Sequence, residues 1–268
     1  MNFKRTANIC RLCLVAVFVS FGMNGHAVDK KPAQEFYEIK IYHFKTADQE
    51  RELDNYLKLV VLPALHKNGI SKSGVFKPLA NDTAADKIIY LFTPLQSFEQ
   101  FLSLPGKVAL EAARDTAGGS YTNAAYNNAP YTRTESILLK AFKTAPAMQL
   151  PALTGDRTAR IYELRSYESA TEKLYQNKVH MFNEGGEVPL FKRLAFNAVF
   201  YAEVIAGSHM PNLMYMTSFD NMASRDAHWK TFSADAAWKE LSARPEYQHN
   251  VSKAEITLLR AAAYSDIF

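Results

Sequence analysis

The stretch Phe36-Tyr37-Glu38-Ile39-Lys40-Ile41-Tyr42 returns later in the chain as Ile161-Tyr162-Glu163-Leu164-Arg165-Ser166-Tyr167, keeping the order tyrosine, glutamate, aliphatic, base, any residue, tyrosine. Each copy alternates as a strand does. Other landmarks recur in the same order: Leu62-Pro63-Ala64-Leu65 answers Val188-Pro189-Leu190-Phe191, Val75-Phe76 answers Val199-Phe200, Ile89-Tyr90-Leu91 answers Met214-Tyr215-Met216, and Glu135 to Ala141 answers Glu255 to Ala261. The separation far exceeds the roughly 20 to 50 residues of a solenoid unit, so the pattern implies a duplicated domain. Residues 34–143 and 158–268 make the two copies. The sparsely charged stretch 144–157, with two prolines, reads as the linker between them.

Within each copy the opening strand leads into a helix, at about 48–66 and 171–192. Two strand-like runs follow, near 74–79 and 87–93 in the first copy and 197–205 and 212–219 in the second. A second helical region covers 95–114 or 222–243, and each copy closes on a strand ending Ile137-Leu138-Leu139 or Ile256-Thr257-Leu258-Leu259. This βαββαβ order predicts an α+β fold of two ferredoxin-like repeats, with the helices of each on one sheet face. Ile88-Ile89-Tyr90-Leu91-Phe92 and Leu213-Met214-Tyr215-Met216 are apolar throughout, as in strands covered on both sides. The two helix-free faces are therefore expected to pack sheet to sheet, as a pseudo-dimeric α+β barrel within one chain.

The second copy resembles a NIPSNAP domain, from the larger group of dimeric α+β barrels. Three parts carry the likeness: Tyr162 to Tyr167, Arg225-Asp226-Ala227-His228-Trp229-Lys230-Thr231-Phe232 through Trp238, and Leu258 to Ser265. The first copy is similar more distantly; Lys40 replaces the arginine and no tryptophan occurs in it. Ala261 stands where the family pattern has proline. The resemblance implies a barrel with an internal pocket. Its wider relatives include haem-binding proteins, cofactor-free monooxygenases and small isomerases, so the implied function is binding of a small apolar or aromatic molecule or of a protein partner. The alternative it implies is a cofactor-independent or haem-associated monooxygenase or isomerase.

Strand alternation places Glu38, Lys40 and Tyr42 on one sheet face, and Glu163, Arg165 and Tyr167 on the equivalent face of the second copy. Tyr37, Ile39, Ile41, Tyr162 and Leu164 point the other way. With the aliphatic set expected beneath the helices, the acid, base and phenol of each copy would line the inter-sheet space as a ligand-binding site with shifted proton affinities. The other reading is that each glutamate braces the barrel by pairing with its neighbouring lysine or arginine. A third is an interaction protein whose barrel is filled by its own side chains. Trp229, Phe232 and Trp238 approximate one helical apolar face and read as core. The tyrosine-rich, turn-forming segment 118–131 reads as a functional loop or lid.

The histidines form no metal-binding run, so neither a metal nor a resident cofactor is expected. His180 and Glu184, four apart on a helix and so on one face, are the exception, a pair that could supply two metal ligands or one axial haem ligand if further groups converged on them. No Gly-x-Ser-x-Gly elbow, phosphate-cradling loop or Rossmann fingerprint occurs, which disfavours hydrolases, NTPases and nicotinamide dehydrogenases. Asn81-Asp82-Thr83 and Asn250-Val251-Ser252 match the glycosylation triplet, a frequent chance pattern.

With 268 residues, 48% hydrophobic and 31 basic against 27 acidic side chains, the chain is built to fold around a substantial core. Lys4, Arg5 and Arg11 precede an apolar stretch, Leu12 to Met23, that is too short to span a bilayer and is followed by Gly25-His26-Ala27. Residues 1–27 thus read as a secretory signal, and the remainder as a secreted or periplasmic protein without stable membrane insertion. Cys10 and Cys13 leave with the signal, so disulfides and cysteine chemistry are excluded from the mature chain. Three basic residues leave too, which brings the mature chain close to neutrality and removes the electrostatic footing for nucleic acid. A homo-oligomer is compatible with all of this. Amino-terminal sequencing of the exported protein should begin at Val28; residues 1–27 retained on exported material would overturn the signal reading.

Overall fold

The computed structural model describes residues 33–268, and the signal reading at 1–27 lies outside the described residues. Eight strands form a closed antiparallel barrel: β1 (Phe36–Phe44), β2 (Gly74–Pro78), β3 (Lys87–Leu95), β4 (Arg133–Ala141), β5 (Ile161–Glu168), β6 (Asn197–Ala206), β7 (Asn212–Phe219) and β8 (Lys253–Ala261). Around the ring their order is β1-β3-β2-β8-β5-β7-β6-β4. In both halves the fourth strand flanks the first, the first flanks the third and the third flanks the second.

The halves are joined edge to edge as well as face to face. Phe76 to Pro78 of β2 pair with Leu259 to Ala261 of β8, and Leu138 to Ala141 of β4 pair with β6 across a register shift. Hydrogen bonding therefore runs unbroken around the ring and leaves no open sheet edge. Ala262 and Asp266 extend the first seam by donating their N–H groups to Val75 and Ser73. The linker is docked, with Gln149 N–H on the Val199 carbonyl and Met148 N–H on the Glu35 carboxylate at 2.8 Å.

On the outside of the first half lie α1 (Ala47–Tyr56), continued through a π-helical turn at Leu57–Val61 into α2 (Leu62–Lys67), then α3 (Phe98–Ala112) and α4 (Thr116–Thr122). The second half carries α5 (Glu172–Asn183), α6 (Glu187–Arg193), α7 (Met222–Ala234) and α8 (Ala236–Ala243). Side-chain oxygens set the starts: Thr46 and Thr171 cap α1 and α5, and Ser97 and Asn221 cap α3 and α7. The expected single helix at 171–192 is broken at Gly185-Gly186. Gly186 has φ of 100°, and a Cβ on Gly185 would stand 2.6 Å from the Met181 carbonyl oxygen. Asp235 divides the other long region by leaving helical geometry and capping α8. The segment 118–131 is not a free lid: its first part belongs to α4, and Tyr121 stacks on Tyr56 at 3.6 Å between ring centroids. Asn81 and Asn250, from the two glycosylation triplets, are buried, and both donate to backbone carbonyls.

Inside the ring, Tyr37, Ile39, Phe76, Phe92, Tyr162, Leu164, Phe200, Met214, Met216 and Leu259 form one apolar core, to which both halves contribute. Phe92 and Phe200, from opposite halves, stack at 4.9 Å. Because that core is shared, the barrel is expected to unfold in one cooperative step. Phe92→Ala should cost about 3–5 kcal/mol. Although both tryptophans lie in the second half, their fluorescence should report the same denaturation midpoint as far-ultraviolet circular dichroism. Separate midpoints for the two signals would refute a shared core.

Candidate functional site

The two sheet faces are the reverse of the sequence expectation. Tyr37, Ile39, Ile41, Tyr162 and Leu164 point into the barrel, while Glu38, Lys40, Tyr42, Glu163, Arg165 and Tyr167 point outward beneath the helices. A closed ring of strands offers a buried charge only other inward side chains. A helix laid across the outer face can supply donors and a path to water, so the polar set belongs there.

In the second half the polar set is fully engaged. Glu163 is completely buried; its Oε1 receives Arg165 Nε at 2.5 Å, and its Oε2 receives Arg225 Nε at 2.6 Å and Trp229 Nε1 at 2.9 Å. The Arg165 guanidinium lies 3.6 Å from the Trp229 ring centroid and donates to the Tyr167 hydroxyl at 2.9 Å, which meets the Tyr215 hydroxyl at 2.8 Å. Burial alone would raise the Glu163 carboxyl; the Arg225 hydrogen bond, the Arg165 charge and the Trp229 donor outweigh it and hold the group below its ordinary range. Beside this network Lys178 and Glu187, both buried, pair at 2.8 Å and tie α5 to α6; burial pushes the Glu187 carboxyl up. The Arg225 and Trp229 contacts could not be read from spacing in the sequence, where Trp229 looked like core alone.

The first half keeps the residues but loses their partners. Counted from its Ser97 cap, α3 places Phe101 and Pro105 where α7, counted from Asn221, places Arg225 and Trp229. Leu91 replaces Tyr215 as the cross-strand neighbour of the base. A cleft of about 150 Å³ opens in consequence between the sheet and α3, bounded by Glu38, Lys40 and Tyr42 on one side and by Leu104, Pro105 and Val108 on the other. Among the described residues Glu38 and Lys40 make no ion pair. Glu38 accepts from Ser136 Oγ at 2.7 Å, and the Lys40 ammonium stands 5.6 Å from the Tyr42 ring centroid. Burial, reinforced by Tyr121, Tyr56 and Glu38, pushes the Tyr42 phenol well up, so it keeps its proton at neutral pH. An acid, an ammonium and a protonated phenol thus face an apolar wall, a set that can orient a polar group and exchange a proton with it.

Other candidates fare differently. His180 and Glu184 are exposed, and His180 Nδ1 is hydrogen-bonded to the Tyr247 hydroxyl at 2.8 Å. A larger hollow of about 480 Å³ runs between the linker and β6, but Lys192 is the one charged residue on its wall and no polar groups converge there.

Residues 162–266 match the NIPSNAP family model. No curated protein matches the chain. Among solved structures, a candidate monooxygenase from Fusobacterium nucleatum subsp. nucleatum superposes with a TM-score of 0.53 at 6% identity, over 85% of this chain and 93% of that one. A candidate monooxygenase from Lactobacillus acidophilus gives 0.52 at 12% identity, over 85% and 94%. An anthrone oxidase-like protein gives 0.51 at 9%, over 87% and 92%. At these identities the likeness is one of fold, and it extends over most of the chain.

Glu163→Gln should cost about 3–5 kcal/mol in chemical denaturation, because it leaves two guanidinium groups facing a neutral amide. The native carboxyl is held below its unfolded value, so its contribution is complete above the ordinary carboxylate range and fades as pH falls through the folded value. The variant's melting temperature should accordingly decline less steeply than the wild type's below about pH 5. Lys178→Met should destabilise more than the double variant Lys178→Met/Glu187→Leu, which leaves no buried charge unpaired; the reverse order would show that the pair is not coupled.

Proposed function

With a NIPSNAP domain forming the second half of an α+β barrel, we propose that this protein binds a small apolar or aromatic molecule in the cleft between the first-half sheet and α3. One observation carries the reading. The site occupied in the second half by Arg225 and Trp229 is vacated in the first, leaving Glu38 and Lys40 without ionic partners among the described residues, beside an apolar wall. A ring or short chain would lie against Leu104, Pro105 and Val108, and its polar substituent would meet Lys40, Glu38 and the Tyr42 hydroxyl. Glu163, Arg165 and Tyr167 serve instead as the brace that keeps the second half closed. The shared strand order supports descent of both halves from one ferredoxin-like unit. The amino-terminal pattern supports export to a secreted or periplasmic location.

A second reading, favoured by the same unpaired titratable groups, is a cofactor-independent monooxygenase or isomerase. Two structures with this fold are candidate monooxygenases and a third is anthrone oxidase-like. In that case Tyr42 would donate and Glu38 accept the proton moved during turnover. Consumption of a bound compound separates the two readings; binding without consumption leaves the first.

Ligand-observed NMR with phenol and benzoate is the direct test. Both should bind, and Lys40→Met should weaken benzoate at least tenfold. Pro105→Trp, which introduces the side chain present in the second half, should abolish binding while preserving a cooperative thermal transition. Undiminished binding in a folded Pro105→Trp variant would place the ligand elsewhere.

A further inference from the structure

The apolar filling of the barrel stops short of one end, where β1 and β5 finish and β4 and β8 begin. There the inward positions turn polar around a cleft of about 160 Å³, with Tyr90, Leu164 and Met214 in its lining. Glu135 and Glu255 are the third residues of β4 and β8, the strands in corresponding places in the two halves, and both line this cleft. No lysine or arginine lines it, and His209, which does, turns its Nδ1 to Glu168 at 3.3 Å. The nearby Lys253 ammonium is 3.1 Å from Glu168 and 3.8 Å from Glu255, so Glu168 is its closer partner. His43 cannot serve as a free donor to a ligand, because its ring nitrogens face Asp86 at 2.7 Å and Glu135 at 3.0 Å. Burial, with Glu255 and Glu135 adding to it, pushes the Tyr90 hydroxyl up to about 12, so the negative field of the rim reaches that phenol.

A second observation is independent of the rim charges. Asn212, in the wall of the cleft, is 2% exposed. Its amide Nδ2 donates to Ser166 Oγ at 2.9 Å, while its Oδ1 has no hydrogen-bond partner. A buried amide oxygen without a donor is destabilising, so a donor supplied there is bound favourably. The cleft thus combines two carboxylates and an unsatisfied carbonyl over an apolar lining. The Asn212 oxygen calls for a hydrogen-bond donor, and Glu255 together with the Glu135 oxygen not taken by His43 favours a donor that carries positive charge.

We propose that this mouth of the barrel is a binding site for a small organic cation, a primary alkylammonium whose head meets Glu135, Glu255 and the Asn212 oxygen and whose chain rests on Tyr90, Leu164 and Met214. The volume, about five waters' share of liquid at roughly 30 Å³ each, limits the chain to a few carbons. This site is separate from the cleft under α3 and does not depend on it.

The test titrates the full chain with n-butylammonium chloride, with sodium butyrate and sodium chloride as controls at matched ionic strength. Binding is followed on the methyl resonances of Met214, Leu164 and Ile137. Butylammonium should shift them saturably, whereas butyrate and sodium chloride should not. Glu135→Gln/Glu255→Gln should weaken butylammonium at least tenfold. If the double variant does not fold, each single variant should weaken it at least threefold. Absence of a saturable shift, equal affinity in folded Gln variants, or butyrate binding as tightly as butylammonium would each overturn the proposal.

Discussion

A strand ring that closes on itself must fill its interior with whatever points inward, and here that requirement sorts every strand into two unequal faces. Tyr37, Ile39, Phe92, Phe200 and Leu164 have no solvent and no helix to turn to, and they interdigitate as a single core owned by both halves. Charged side chains could enter that space only with partners delivered from other strands, at a desolvation cost that an apolar residue of similar volume avoids. The trio of acid, base and phenol is thereby forced outward, under the helices. The location of both candidate sites follows from this sorting: one lies outside the sheet, and the other lies where the apolar filling ends.

The same trio then meets two different helices. Beneath α7, Glu163 gathers Arg165, Arg225 and Trp229 into one network that occupies both of its carboxylate oxygens. Beneath α3, whose corresponding positions are Phe101 and Pro105, Glu38 and Lys40 keep free valence. A saturated polar network rigidifies its surroundings, whereas an unsaturated one beside an apolar wall is chemically available. The halves therefore differ chiefly through their helices: beneath α7 the trio is braced, and beneath α3 it borders an open cleft.

The barrel mouth draws on both halves alike. Glu135 and Glu255 occupy matching places on β4 and β8, so each half contributes one carboxylate to the mouth. Their surroundings have diverged: Glu135 is held by His43, and Glu255 stands near Lys253.

The letters alone determined the α+β strand and helix order and the burial of β3 and β7 on both faces, because periodicity and turn chemistry act over short distances along the chain. They also singled out Glu38, Lys40, Tyr42, Glu163, Arg165 and Tyr167 as one set. Which way that set faces was decided only by closure of the ring, since alternation fixes that two faces exist but not which is inner. Beyond Arg165, the partners of Glu163 came from residues some sixty positions away on α7, and the vacancy beside Glu38 exists only relative to that arrangement. The filled interior, where an open chamber was expected, has the same origin: side-chain volumes in a sequence do not reveal the space they must fill until eight strands fix its dimensions.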